Sequence, residues 1–279
     1  MFPIVSKRPL NEAGTVLEYV IKAPLVAKKC LPGQFIVLRL DEHGERVPLT
    51  IADYDREAGT VTIMVQPVGQ TTRMLELMEP GDCLADFVGP MGKPTQIGGQ
   101  KRVCVVGGGV GCAIGYPVCK GFFEAGIEVD MVAGFRSKDI VILEDEMRAH
   151  STNLYICTDD GSYGHKGLVT DLLRDRLESD KDVFEVVAVG PVPMMAAVAN
   201  TTRPYGVHTT VSLNPIMVDG IGMCGACRVT VDGKTKFACV DGPEFDGHKV
   251  DFDELRRRLG AYRDQEKVSI DQYRSTHGN

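Results

Sequence analysis

The alternation of apolar and polar positions marks the first third of the chain as β-rich. Short β-type runs, bounded by turn sequences, fall at residues 15–22, 34–40, 47–52 and 60–68. A single helix-like segment, 72–78, interrupts them. Many short strands with regular turns are typical of a small antiparallel barrel, which we expect over residues 1–97.

The pattern changes from residue 101, where apolar strand-like runs alternate with helical segments. Strands are expected at 103–106, 128–133, 154–158 and 186–189, and helices at 111–125, 144–149, 168–177 and 193–199. Strands that alternate with helices indicate an α/β domain with a parallel sheet. We assign this domain to residues 98–208.

Residues 209–279 follow neither pattern and are expected to form a small third module. The segment is rich in loop sequence and holds three cysteines within 16 residues. A short helix is expected at 253–259, followed by a polar, extended tail after Ala261. The fold class predicted for the whole chain is multi-domain β plus α/β: an antiparallel β-barrel, a parallel-sheet domain and a small C-terminal module.

Composition and charge narrow the functional classes. Hydrophobic residues make up 43% of the 279 residues, and the net charge is -7. Because there is no basic surplus to neutralise phosphates, nucleic acid is not an expected partner. No apolar run approaches the roughly 20 residues of a membrane span, and the N-terminus lacks a signal-peptide core. We therefore expect a cytoplasmic protein whose nine cysteines stay reduced.

The cysteine-rich segment carries the most specific chemistry. Asp219, Cys224, Cys227 and Cys239 follow the spacing D-x4-C-x2-C-x11-C. Plant-type 2Fe–2S proteins use C-x4-C-x2-C with a distant fourth cysteine, and here Asp219 occupies the first position. The spacing predicts a 2Fe–2S cluster with these four residues as ligands, and Asp219 is expected to tune its potential. A structural zinc and a free cysteine pair are the alternatives.

A glycine-rich turn lies between a predicted strand and a predicted helix. Gly107, Gly108, Gly109 and Gly111 form it, and Cys112 takes the third glycine place of G-x-G-x-x-G. Such a turn suits a pyrophosphate because the backbone can approach closely and a helix N-terminus favours an anion. The alternative is a tight turn without a ligand. Standard dinucleotide-binding folds have an Asp or Glu about 20 residues after the glycine motif. No acidic residue lies at a clear strand end there, so a standard dehydrogenase fold is not predicted.

Further motifs resemble the ferredoxin-reductase superfamily. Residues 46–51 (R-V-P-L-T-I) resemble its flavin motif, and 69–72 (G-Q-T-T) its flavin-pyrophosphate segment. Residues 87–92 (F-V-G-P-M-G) resemble the end of its barrel. Its pyridine-nucleotide motifs are matched at 107–111, 134–136 and 190–194.

The resemblance implies FAD on the barrel. The residues implied are Arg46, Pro48, Leu49, Thr50, Ile51, Ala52, Gly69, Gln70, Thr71 and Thr72. Arg46, Thr71 and Thr72 would contact the FAD diphosphate. Residues 48–50 would contact the isoalloxazine ring. The alternatives are a surface charge beside Glu45 for Arg46 and helix capping for the threonines.

The resemblance also implies NAD(H) on the α/β domain and favours NADH over NADPH. The residues implied are Gly108, Gly109, Val110, Gly111, Arg136, Asp159, Asp160, Gly161, Gly190, Pro191 and Met194. Residues 158–164 (T-D-D-G-S-Y-G) resemble a loop near the nicotinamide, with a solvated turn as the alternative. No catalytic side chain is predicted, because the cofactors would carry the chemistry.

The three parts together resemble the electron-transfer subunits of dihydroorotate dehydrogenases. With aspartate at the first ligand position, the chain also resembles the small subunits of NADH-dependent reduced ferredoxin:NADP+ oxidoreductases. This implies a subunit that moves electrons between NAD(H), FAD and a 2Fe–2S cluster in an electron-bifurcating hetero-oligomer. Its partner would be a larger iron–sulfur flavoprotein linked to NADP(H) and ferredoxin. A dihydroorotate dehydrogenase subunit and a zinc-stabilised nucleotide-binding regulator are the alternatives.

Overall fold

A computed structural model describes residues 1–179 and 182–277. In the N-terminal region the strands are β1 (Phe2–Pro9), β2 (Leu17–Lys22), β3 (Phe35–Arg39), β4 (Val47–Thr50), β5 (Asp53–Asp55), β6 (Thr60–Val65), β7 (Cys83–Leu84) and β8 (Asp86–Met91). The helices there are α1 (Pro24–Ala27) and α2 (Gln70–Glu76). The strands pair antiparallel in two sheets, ordered β5-β6-β2-β1-β7 and β4-β3-β8.

Two strand continuations close these sheets into a barrel. Only Ile51 and Ala52 separate β4 from β5, and their amides donate to the carbonyls of Gln34 and Thr62. Only Ala85 separates β7 from β8. Each pair therefore acts as one strand that passes from one sheet to the other, which gives six strands around a common apolar core. The predicted antiparallel barrel is confirmed.

The rest of the described chain adds strands and helices in the predicted alternation. The strands are β9 (Arg102–Gly108), β10 (Glu128–Phe135), β11 (Asn153–Thr158), β12 (His165–Lys166), β13 (Glu185–Val189), β14 (His208–Ser212), β15 (Arg228–Val231), β16 (Lys234–Phe237) and β17 (Glu244–Asp246). The helices are α3 (Gly111–Glu124), α4 (Glu144–Ala149), α5 (Val169–Ser179), α6 (Val192–Thr202), α7 (Ala238–Asp241), α8 (Phe252–Leu259) and α9 (Arg263–His277).

One sheet, ordered β12-β11-β10-β9-β13-β14-β17, forms the centre of the α/β domain. Its strands pair parallel except for β17, which is antiparallel to β14. Alternate residues of a strand face opposite sides, so Val103 and Val105 pack under α3 while Cys104 and Val106 pack under α5 and α6. The predicted parallel-sheet domain is confirmed.

The sheet does not stop at the boundary predicted after residue 208. Strand β14 begins at His208 and continues the parallel sheet, and β17 joins it from within the C-terminal module. Between them lie the cysteine loop and the hairpin of β15 and β16. The C-terminal module is thus anchored on the α/β sheet.

The predicted extended tail after Ala261 is wrong. Residues 263–277 form α9, which lies against α2 of the barrel, where the Ser269 hydroxyl bonds to the side-chain oxygen of Gln70. Tyr273 is buried. Because apolar residues are sparse in this segment, its sequence lacks the periodic stripe that normally indicates a helix.

Candidate functional site

A cleft of about 440 Å³ lies where the three parts of the chain meet. We call it the inter-domain cleft. The barrel contributes Pro48, Leu49, Thr50, Ala52 and Thr72. The α/β domain contributes Val110, Gly111, Gly190 and Pro191, and the end of β14 with the segment after it contributes residues 212–215 and Met217. Nine residues implied by the sequence resemblance therefore share one cavity.

The glycine-rich turn supplies one wall of this cleft at the carboxyl end of β9. Gly109 has φ +57°, and its amide donates to the Gly134 carbonyl at 2.8 Å, which ties the turn to β10. A Cβ on Gly111 would lie 2.6 Å from the Cα of Gly190 and would also meet the Val189 carbonyl. A side chain at the first position of α3 would therefore collide with backbone atoms, which explains the glycine there.

A second cleft of about 390 Å³ runs along the carboxyl ends of the parallel strands. We call it the strand-end cleft. Its lining includes the predicted residues Gly108, Gly109, Val110, Arg136, Asp159, Pro191 and Met194. Ligands of open α/β sheets bind at such strand ends. The two clefts share Val110 and Pro191, so they adjoin one another.

Met194 lies across two of the predicted glycines. A Cβ on Gly190, which has φ +155°, would lie 2.9 Å from the Met194 methyl group, and a Cβ on Gly108 would meet the Met194 sulfur. The thioether thus fills the space that glycine leaves on two strand ends. This packing brings the backbone of both turns to the edge of the strand-end cleft.

The threonine pair at the start of α2 divides into two roles. The hydroxyl oxygen of Thr72 accepts hydrogen bonds from the amides of Val68 and Gly69, each at 3.0 Å, and therefore caps the helix. The Thr71 hydroxyl is buried and donates to the Glu45 carboxylate at 2.6 Å. Of the two, Thr72 lines the inter-domain cleft.

Several predicted residues lie outside the cleft linings. Arg46 and Gln70 are exposed, and Ile51 is buried in the barrel core. Asp160 accepts hydrogen bonds from the amide and hydroxyl of Ser162, at 2.9 and 2.6 Å, and these bonds lower the pKa of its carboxyl. Gly161 has φ +77° in the same turn.

The cysteine loop brings two of its thiols together. The sulfurs of Cys227 and Cys239 are 3.2 Å apart, and both residues are buried, whereas Cys224 is exposed. Burial, together with the neighbouring Cys227 thiol, raises the pKa of the Cys239 thiol. Metal binding at this pair would release protons, because the ligand form is the thiolate.

Asp219 uses its carboxylate within the loop. One oxygen accepts from the Ile221 amide at 3.0 Å and the other from the Cys224 amide at 2.7 Å. These backbone hydrogen bonds lower the pKa of the Asp219 carboxyl. Across residues 1–179 and 182–277, no group of three or more His, Cys, Asp or Glu side chains is arranged closely enough to hold a metal ion.

The donor set and backbone of the loop nevertheless fit an iron–sulfur cluster. The Ala226 amide donates to the sulfur of Cys224, and the Cys239 amide donates to the sulfur of Cys227, each at 3.5 Å. Amide hydrogen bonds to sulfur are a common way to tune such clusters. The loop glycines 220, 222 and 225 all have positive φ, which lets the backbone turn tightly around a ligand.

Two apolar side chains connect the cysteine loop to the inter-domain cleft, and the sequence analysis missed both. Phe35 and Met217 line the cleft and pack in one buried group with Cys227 and Cys239. Met217 lies two positions before Asp219, which is the one sequence signal that could have pointed to it. Phe35 carries no such signal, since it is an ordinary inward-facing strand residue.

The architecture recurs in solved structures with little sequence identity. The ferredoxin reductase in carbazole 1,9a-dioxygenase superposes with a TM-score of 0.63 at 17% identity, over 74% of this chain and 65% of that one. At this identity the match speaks for the fold alone. The fold class is ferredoxin-reductase-like, with an added C-terminal module.

Closer relatives define the family. Residues 214–251 match the family model described as the iron-sulfur cluster binding domain of dihydroorotate dehydrogenase B. The chain is 50% identical to a Thermotoga maritima dihydroorotate dehydrogenase B (NAD(+)) electron transfer subunit homolog, over 95% of this chain and 94% of the relative. It is 35% identical to the corresponding electron transfer subunit of Geobacillus thermodenitrificans, over 88% and 96%. The chain belongs to the family of dihydroorotate dehydrogenase B electron transfer subunits and their homologues.

A solved structure gives a further close similarity. That structure is of the NADH-dependent reduced ferredoxin-NADP oxidoreductase and was solved for insights into flavin-based electron bifurcation. The identity is 48% and the TM-score 0.91, with 98% of each chain covered. The resemblances predicted from the sequence are confirmed, and so is the iron–sulfur domain.

Within the described residues, no helix combines the length and apolar character needed to cross a bilayer.

Proposed function

We propose that this chain is the electron-transfer subunit of an NADH-dependent reduced ferredoxin:NADP+ oxidoreductase. It passes electrons between NAD(H) and a larger iron–sulfur flavoprotein partner by way of FAD and a 2Fe–2S cluster. The observation that carries the proposal is the inter-domain cleft, which barrel, nucleotide-domain and C-terminal residues all line. The 48% identity over 98% of the compared chain supports the choice of complex.

The chain's own residues have distinct tasks in this proposal. Pro48, Leu49 and Thr50 form the barrel wall against which a flavin ring would lie. The N-terminus of α3 would favour a diphosphate, and Arg136 at the strand-end cleft would meet the adenosine end of NAD(H). Flavin, when bound, exchanges a hydride with nicotinamide and single electrons with an iron–sulfur centre.

Phe35 and Met217 would shorten the route between the two redox sites. Both side chains line the inter-domain cleft and belong to the same buried group as Cys227 and Cys239. As buried apolar groups they would exclude water from the space between, and Asp219, Cys224, Cys227 and Cys239 would hold the cluster. Since hydride transfer to a flavin needs no protein acid or base, no side chain is assigned as catalytic.

Cofactor analysis and an anaerobic titration test the proposal. We expect the purified protein to contain FAD, iron and acid-labile sulfide, and NADH to bleach the flavin absorbance faster than NADPH. A colourless, zinc-containing protein would reject it in favour of a nucleotide-binding regulator. A Cys239→Ser variant is the matched control, since it should lose iron and keep flavin reduction by NADH.

The main competing function is electron transfer to a dihydroorotate dehydrogenase. The match of residues 214–251 to that enzyme's cluster-binding domain favours it. The co-purifying partner decides between the two. A partner that reduces NADP+ with reduced ferredoxin supports the first function, and one that oxidises dihydroorotate supports the second.

A further inference from the structure

An ion pair connects the barrel to the α/β domain behind the inter-domain cleft. Lys120 Nζ lies 3.0 and 2.9 Å from the two carboxylate oxygens of Asp53. Asp53 opens β5 of the barrel, and Lys120 lies on α3 of the α/β domain. The side chains are partly buried, with 38% and 24% of their surfaces exposed.

Both residues lie on segments of the chain that also line the cleft. Asp53 follows Ala52, which lines the cleft from the barrel side. Lys120 lies two helical turns after Ala113, which lines it from the other side. Seven residues of α-helix advance by about 10 Å, so the ion pair lies close behind the cavity.

Close backbone packing lies next to the ion pair. A Cβ on Gly121 would lie 2.9 Å from the Pro32 ring and 2.8 Å from the Ile97 side chain. The backbone of α3 at Gly121 therefore packs directly against the side chains of Pro32 and Ile97. A second ion pair across the two domains, Arg8 with Glu146, is longer at 3.5 Å, and Arg8 bonds chiefly to Glu18.

A partly exposed ion pair contributes little to global stability, so its expected effect is geometric. We propose that Lys120 is a positioning residue: its bond to Asp53, beside the Gly121 contact, sets the angle between barrel and α3 and thereby the distance between the flavin and nicotinamide subsites. This inference rests on the proposed function. Glu124, one turn further along α3, lines the same small space as Asp53 and Lys120, so the lysine charge also separates two carboxylates.

The test compares Lys120→Met with Lys120→Arg and with the exchanged pair, Asp53→Lys combined with Lys120→Asp. Stopped-flow reduction of the flavin by NADH should slow by roughly five- to twentyfold in Lys120→Met, since small misplacements of reacting groups are costly. NADH affinity should change by less than about twofold, because the residues proposed to bind NADH all belong to the α/β domain and keep their positions relative to one another. Lys120→Arg and the exchanged pair should recover most of the rate.

A readout independent of turnover is amide hydrogen exchange without NADH. Residues 50–55 and 117–124 should exchange faster in Lys120→Met and normally in the exchanged pair. The matched control is Lys249→Met, which removes a 3.0 Å bond to Asp246 within one module and should leave both readouts unchanged.

An unchanged flavin-reduction rate in Lys120→Met overturns the inference, whatever the exchange data show. If Lys120→Met does not fold, the exchanged pair decides: a normal rate supports positioning, and a slow rate overturns it. Failure of the wild-type protein to accept electrons from NADH would instead reject the proposed function, and the two failures are thereby distinguished.

Discussion

The carboxylate of Asp219 accepts a hydrogen bond from the amide of Cys224, five residues further along, at 2.7 Å. A predicted ligand thus also shapes the loop that carries the next predicted ligand. We expect Asp219→Cys to change the midpoint potential of the cluster, because a thiolate is a softer donor than a carboxylate. A redox titration followed by electron paramagnetic resonance measures this, and an unchanged potential would argue against Asp219 as a ligand.

Removing single thiols should separate the cluster cysteines from the others. Cys227→Ser and Cys239→Ser should reduce iron and acid-labile sulfide to background, since both thiols are buried side by side. Cys83→Ser, on β7 of the barrel, is the matched control and should retain full iron content. Metal and sulfide analysis of the three purified variants provides the comparison.

Gly111→Ala should impair both stability and nucleotide binding. The added methyl group would press on the Val189 carbonyl and on Gly190, where backbone atoms cannot yield easily. Overpacking of this kind costs about 1–3 kcal/mol, which thermal or urea unfolding can measure. Gly260→Ala is the control, because its Cβ would make only ordinary contacts from 3.4 Å outward, and equal destabilisation of both variants would contradict the close approach.

Glu244 should make the stability of the protein depend on pH. Burial and the nearby Glu185 carboxylate raise the pKa of Glu244 from 4.5 to about 7, although the Thr95 hydroxyl donates to it at 2.7 Å. Between these pKa values the folded protein keeps a proton that the unfolded chain has released. The stabilisation is therefore complete below pH 4.5 and is lost as the pH rises to 7.

Glu244→Gln removes this titration and should flatten that part of the profile. At pH 8 the variant should be more stable than the wild type by at most about 3 kcal/mol. Urea unfolding from pH 5 to 8 checks this, with exposed Glu57→Gln as the control. Parallel profiles for Glu244→Gln and wild type would show that the carboxyl ionises normally.

Features that depend on neighbouring residues were predictable from the sequence. Helix α3 begins at Gly111, as predicted, because the glycine turn that precedes it is encoded within a few residues. The cysteine spacing pointed to the iron–sulfur domain for the same reason, since its pattern lies within 21 residues, 219–239. Local sequence therefore located both the glycine-rich turn and the iron–sulfur domain.

Features that depend on distant contacts were not predictable. Helix α9 has few apolar residues, and its residue Ser269 contacts Gln70, which lies 199 positions earlier in the chain. Phe35 and Met217 likewise meet only after the barrel and the C-terminal module have packed together. No periodicity within either segment encodes that meeting.

The shared sheet determines which parts of the molecule can move together. Because β17 lies beside β14, the frame around the cysteine loop is hydrogen-bonded to the nucleotide-binding strands. A movement of the barrel that opened the inter-domain cleft would therefore also have to break the packing of Phe35 against the cysteine loop. The barrel wall would then move away from the nucleotide site and from the cysteine loop in the same movement. Electron transfer to the flavin from the nucleotide and from the flavin to the cluster would then be switched on or off by one domain movement.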